Sequence, residues 1–136
     1  MCYFIYGAVN TETNPNDLER ILSESLYSFK LGTKHDVKQA ALNDNESFCV
    51  HESICDCKFP MGMGDPEAPE LKALSETIQN LRGARGIKCI YLAKAWAGKP
   101  IKTEQQVHID DICAAAFLAE ASENCLYRID LYRRMV

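Results

Sequence analysis

The sequence predicts an α/β domain built as a two-layer sandwich, with about four strands in a mixed sheet and three helices in β-α-β-α-β-α-β order. Three observations lead there. Two segments, Cys2 to Val9 and, apart from Lys88 and Lys94, Ile87 to Trp96, are apolar on both faces and rich in β-formers, as central buried strands are. Segments of helical spacing with their own start and stop signals lie between the strand candidates. The last segment, Leu126 to Arg133, alternates Tyr127, Ile129 and Leu131 with Arg128, Asp130 and Tyr132. That pattern marks a half-buried strand near an edge and favours two layers over three. An α+β arrangement of the same elements is the alternative.

Asn14-Pro15-Asn16-Asp17 opens the first helix: Asn14 caps it, Pro15 suits the first helical position and Asp17 suits the positive end. Leu18, Ile21, Leu22, Leu26 and Phe29 recur at helical spacing, and Gly32 is a natural stop. Residues 33–46 are ambiguous, with Val37, Ala40 and Ala41 compatible with a short helix. Ser47 to Glu52 reads as the second strand. Ile54 to Pro69 is a long loop rich in Gly, Pro, Cys and Met, and loops of that length are often functional. Pro69 starts the second helix, with Leu71, Leu74, Ile78 and Leu81 on one face and Gly83 at its end. Gly98-Lys99-Pro100 breaks the third strand. The third helix runs from about Asp110 to Ser122 with a stripe of Ile109, Ile112, Cys113, Ala116 and Phe117.

A chain of 136 residues corresponds to one domain, residues 1–136, on the usual scale of roughly 100–200 residues each. Hydrophobic residues at 47% and charged ones at 25% match a globular chain and exclude a disordered or fibrous one. The net charge of −4 argues against general nucleic-acid binding. No stretch approaches the roughly 18–20 apolar residues that cross a bilayer, and the N-terminal run lacks the layout of a secretory leader. The expected setting is therefore the cytoplasm, without membrane contact. There the seven cysteines, an odd number, are reduced thiols rather than a disulfide framework.

The densest chemistry lies at Cys49-Val50-His51-Glu52-Ser53-Ile54-Cys55-Asp56-Cys57. Thiolates with imidazole suit zinc, and neighbouring thiols also suit redox chemistry. The segment lacks the Cys-x2-Cys pairs of structural zinc sites. Met1-Cys2-Tyr3-Phe4 and Cys55-Asp56-Cys57-Lys58-Phe59-Pro60-Met61-Gly62 resemble a group of small uncharacterised bacterial proteins. Those begin Met-Cys-Thr-Phe and carry His-Cys-Asp-Cys-Gly-Thr-x-Leu-Gly. This chain has Ile54 in place of the group's His and Lys58-Phe59 in place of Gly-Thr, and it keeps Cys-Asp-Cys-x4-Gly. The resemblance implies that Cys2, Cys55, Asp56, Cys57 and Gly62 form one constellation, with His51 as a local substitute for the missing His. Such a constellation requires Cys2 near the 55–57 loop, as when the second strand runs antiparallel beside the first.

The sequence-based expectation is a thiol-rich site centred on Cys55 and Cys57, binding a thiophilic metal such as zinc or acting in redox chemistry. Gly62 and Gly64 shape the loop beside it. Cys49, Cys89, Cys113 and Cys125 are read as small core residues. Two alternatives stand beside it. One is an enzyme acting on a small anionic substrate, with Cys57 or Cys55 as nucleophile and His51 or His108 as base. The other is a non-catalytic domain that dimerises through its C-terminal strand. Met1-Cys2 is also the opening of N-terminal-nucleophile enzymes, a match of one dipeptide. His108, Asp110 and Asp111 form a secondary candidate for acid–base work, although two aspartates are also what a helix N-terminus prefers.

Overall fold

A computed structural model describes residues 3–25, 29–31, 46–50, 56–96, 101 and 103–132, and of 29–31 and 46–50 the backbone alone. In chain order these residues form β1 (Tyr3–Val9), α1 (Pro15–Ser23), β2 (Phe29–Leu31), β3 (Glu46–Val50), α2 (Pro69–Leu81) and β4 (Cys89–Trp96). Then come β5 (Thr103–His108), a 3-10 turn (Ile109–Asp111), α3 (Ala114–Ala119) and β6 (Cys125–Asp130). The strands make one mixed sheet in the order β2-β3-β1-β4-β6-β5. Every pairing is antiparallel except β5 with β6.

The two-layer α/β fold follows from the side-chain pattern. Ile5 and Val9 of β1, Ile90 and Leu92 of β4 and Tyr127 and Ile129 of β6 share one face and one buried cluster with Leu18 of α1, Leu74 of α2 and Leu118 of α3. All three described helices therefore pack on the same side of the sheet. The other face carries a smaller buried cluster of Tyr6, Ala8, Ala93, Ala95 and Leu126. This explains why β1 and β4 read as apolar throughout.

The strands indicated by the sequence form as β1, β3, β4 and β6, and two more join them. β2 takes Phe29, which helical spacing had assigned to the first helix. That helix ends at Ser23, where Ser25 turns out and its hydroxyl meets Thr77 of α2 at 3.0 Å. Pairing of Phe29 with Val50 outweighs the helical spacing. β5 carries no sequence signal, because Thr103 to Gln106 are all exposed and no apolar alternation marks it. It pairs with β6 along its whole length, so the last strand is interior and not an edge. A dimer formed by extending β6 would first have to displace β5. The expected third helix is split: His108 caps a separate 3-10 turn, extended Ile112 breaks the chain direction, and α3 starts only at Ala114.

The turn regions at the start of β4 are tied by polar contacts. Asn14 accepts from the main-chain N–H groups of Asn16 and Asp17, both at 3.0 Å. Asp17 accepts from the Arg85 main chain at 3.0 Å and from its Nε at 2.9 Å, and the Arg85 side chain holds the Asp17 carboxyl below its ordinary value. Asn10 accepts from the Lys88 N–H at 2.7 Å and donates to the Gly86 carbonyl at 2.8 Å. Gly86 sits at φ +78° with the Glu12 carbonyl against it, so a Cβ would meet backbone. Gly86→Ala should therefore lower unfolding stability by at least about 2 kcal/mol, combining left-handed strain and overpacking. Gly83→Ala, whose Cβ would lie 3.4 Å from the Asn80 carbonyl oxygen with no positive φ, should change it little. Urea titration of both variants checks this.

Candidate functional site

The site grows from the end of the β1–β4 ladder, where Tyr3 pairs with Trp96 and Ile5 with Lys94. On the other side of β1, the described register with β3 runs to Ile5 opposite Val50, and main-chain groups at this end of β1 need partners as any buried ones do. The Cys-Asp-Cys segment supplies them. The Asp56 N–H donates to the Tyr3 carbonyl at 2.9 Å, and the Ile5 N–H donates to Asp56 Oδ2 at 3.0 Å. The Tyr3 N–H donates to Cys57 Sγ at 3.3 Å. Asp56 is buried and Cys57 is exposed.

Lys94 is on the helix-facing side of β4, in parity with Ile90 and Leu92, and is 1% exposed. Its Nζ donates to the carbonyls of Phe59 at 2.8 Å, Met61 at 3.3 Å and Cys57 at 3.4 Å. An ammonium has three donors, and alternate carbonyls of one loop take them. The loop thereby curls around the amine, and Phe59 and Met61 enter the core. Burial pushes the Lys94 amine below its ordinary value, opposed by the charges of Glu123, Cys57 and Asp56.

Beyond Met61 the loop is fastened to α3. The Gly62 N–H donates to the Leu118 carbonyl at 2.9 Å and the Gly64 N–H to the Ala119 carbonyl at 2.8 Å. Gly62 has φ +80°, and a Cβ there would lie 2.6 Å from the Ala121 carbonyl oxygen, so the kept glycine answers a close backbone approach. The segment is thus anchored at the sheet edge, at Lys94 and at α3. Across the corner, the Tyr3 and Trp96 rings stand 4.2 Å apart, and Glu123 raises the Tyr3 hydroxyl pKa. Asn124, at φ 59°, donates to the Lys94 carbonyl at 2.7 Å and accepts from the Trp96 N–H at 3.0 Å. It closes the corner from the β6 side.

The structure thus brings Asp56, Cys57, Gly62 and Gly64 to one place, whereas Cys2, His51 and Cys55 lie outside the described residues. β3 runs antiparallel beside β1, one of the arrangements that would bring Cys2 near this loop, and the chain neighbours of Cys2 and Cys55, Tyr3 and Asp56, are hydrogen-bonded to each other. Among the described residues no group of three or more His, Cys, Asp or Glu side chains is placed to hold a metal.

His108 is not brought to Cys57. It pairs in register with Asp130, near the start of β4, whereas Cys57 is near its end. His108 Nδ1 accepts from the Asp110 N–H at 3.2 Å, and the other ring nitrogen meets the Tyr132 carbonyl. Nε2 therefore carries the proton, and the ring caps a turn and staples a strand end. Asp110 is 3.4 Å from Arg82, and Asp111 is exposed on the same turn. Cys89 and Cys125 are buried as expected, burial pushing the Cys89 thiol up. Cys113 is a correction: preceding α3 rather than lying within it, the residue is exposed. The side chain of Cys49 is outside the described residues.

Lys94 is the member that sequence reasoning missed. The signal was present, because strand parity places this lysine beside Ile90 and Leu92. Lys94 is under the helices, whereas Arg128, two-fifths exposed, pairs with Asp130 on the opposite face at 3.1 Å.

Fold and corner together define a two-layer α/β protein in which a buried lysine gathers a thiol-bearing loop. No protein family, no curated protein and no solved structure compared with the chain matches it. No helix among the described residues is long and apolar enough to cross a membrane.

Lys94→Met should leave three loop carbonyls without their donor and lower stability by about 1–3 kcal/mol. It should also raise amide exchange selectively across residues 57–64. The lowered Lys94 pKa has a second consequence. Between that value and the ordinary 10.5, the unfolded chain binds more protons than the folded one, so this group makes stability rise with pH. The stability difference between wild type and Lys94→Met, measured by urea titration at stepped pH, should grow in favour of wild type across that interval.

Proposed function

We propose that the protein acts through a thiol site at the 55–57 turn, with Cys57 as the attacking sulfur. The observation that carries this reading is the pair of main-chain bonds at Tyr3: its N–H on Cys57 Sγ and its carbonyl on the Asp56 N–H. That N–H bond fixes the sulfur at the sheet edge, and the thiolate is the form in which a cysteine attacks. Cys57 is also exposed, so a substrate disulfide can reach it.

The reaction is thiol–disulfide exchange. Cys57 thiolate attacks one sulfur of a small disulfide, forming a mixed disulfide and releasing one thiolate. A second cysteine, Cys55 or Cys2 as the sequence neighbours of the contacting residues, then attacks Cys57 Sγ and releases the other thiolate. The protein is oxidised to an internal disulfide, and the small disulfide is reduced to two thiols. A cytoplasmic setting, where the reverse reaction restores the thiols, belongs to the same proposal. Zinc is the competing occupant of this turn. The Lys94 charge beneath the loop favours an anionic sulfur over a dication there.

Native protein treated with oxidised glutathione should form an internal disulfide that includes Cys57, seen by intact mass and peptide mapping. Cys57→Ser should abolish it, and Cys113→Ser, which removes another exposed thiol, should not. Modification confined to Cys113 would overturn the proposal. So would stoichiometric zinc in tag-free protein that is lost in Cys57→Ser.

A further inference from the structure

At the opposite end of β4 from Cys57, a cleft of about 330 Å³ is lined by Arg82, Ala84, Ile87, Leu131 and Tyr132. We infer that it binds a small planar monoanion, an aromatic carboxylate, and that Arg82 anchors the carboxylate. The inference does not depend on the thiol reading.

The floor is apolar: Ala84, Ile87 and Leu131 are buried and belong to the main core. The walls are of two kinds. Tyr132 is 56% exposed, an aromatic ring left beside an apolar floor, where a second ring gains contact area by stacking. Arg82, at the C-terminal end of α2, is one-third exposed and meets Asp110 Oδ1 at 3.4 Å. A guanidinium has five N–H donors in a planar fork, and Asp110 is its one ion-pair partner among the described residues. The rest of the fork suits a second carboxylate, taken in bidentate fashion.

Both walls are positioned from one short segment. His108 donates from Nε2 to the Tyr132 carbonyl, and Asp110 holds Arg82. The Leu131 N–H donates to the Lys88 carbonyl at 3.0 Å, which fastens the floor to the start of β4. His108 and Asp110 are thus positioning residues for the cleft. Asp110 also bears on the charge of the ligand: one carboxylate already faces the guanidinium, so a dianion such as a phosphate monoester meets twice the repulsion that a monoanion meets. The volume lies near the lower end of ligand pockets, roughly 300–1,000 Å³, which fits one ring with a short acidic arm.

Benzoate is the probe, with benzamide as its neutral isostere, titrated into the full chain and followed by amide NMR. Benzoate should cause saturable shifts at Ile87, Leu131 and Tyr132. Affinity should fall about tenfold or more with benzamide or in Arg82→Gln, the loss expected when a charge-assisted pair is removed. Tyr132→Ala should weaken binding while leaving the preference for benzoate over benzamide, and Cys57→Ser should change neither. Absence of saturable shifts in wild type, equal binding of benzamide, or unchanged binding in folded Arg82→Gln would overturn the inference.

Discussion

The bond set that most of this structure depends on is one ammonium inside a core. Lys94 is a charge placed among Ile90, Leu92 and the helices, where an isolated ion is strongly disfavoured. It is tolerated because three carbonyls from one loop converge on Nζ. The dependence runs both ways: residues 57–61 would otherwise bury main-chain oxygens without donors while placing Phe59 and Met61 in the core. Amine and loop satisfy each other, and breaking either side leaves the other uncompensated. From this follow the path of the loop, the glycines that meet the end of α3, and the presentation of Cys57 at the edge of β1.

The β1–β4 ladder turns that local arrangement into a molecular one. At one end, Tyr3 and Trp96 frame the thiol corner. At the other, Asn10, Asp17, Arg85 and Gly86 tie the turns that lead into α1 and β4. Each end gathers polar groups because strand ends leave main-chain donors and acceptors that the sheet itself does not pair. The middle of the ladder, Tyr6 to Ala8 opposite Tyr91 to Ala93, carries no charged side chain. Chemistry is therefore confined to the ends, the thiol at one and the Arg82–Tyr132 cleft at the other.

Much of the fold was legible from local rules. Asn14 and Pro15 announce α1, Pro69 announces α2, and the apolar runs of β1 and of β4, the latter broken only by Lys94, report burial on both sides. The elements that escaped are those whose stability comes from a partner. Thr103 to Gln106 are exposed along β5, so their strand character rests on main-chain pairing with β6, which leaves no apolar pattern. Phe29 keeps helical spacing with Leu22 yet joins β3. His108 and Asp110 carry the residue types of acid–base chemistry, but the imidazole is engaged at both nitrogens and the carboxylate at Arg82. Residue type suggested acid–base chemistry for them, and their contacts give them structural roles as a turn cap and a strand-end tie.

By itself the sequence determined the α/β class, the helix starts, the main strands and the region where reactive groups concentrate, because capping, periodicity and loop composition act over a few neighbouring residues. Tertiary structure alone decided strand order, the interior position of β6, the exposure of Cys113 and the role of Lys94. The physical reason is the same in each case. A strand edge, a buried amine and an N–H bond to a sulfur acquire meaning only from groups far along the chain, thirty-seven residues away for Lys94 and Cys57, and no local pattern states which distant group will arrive.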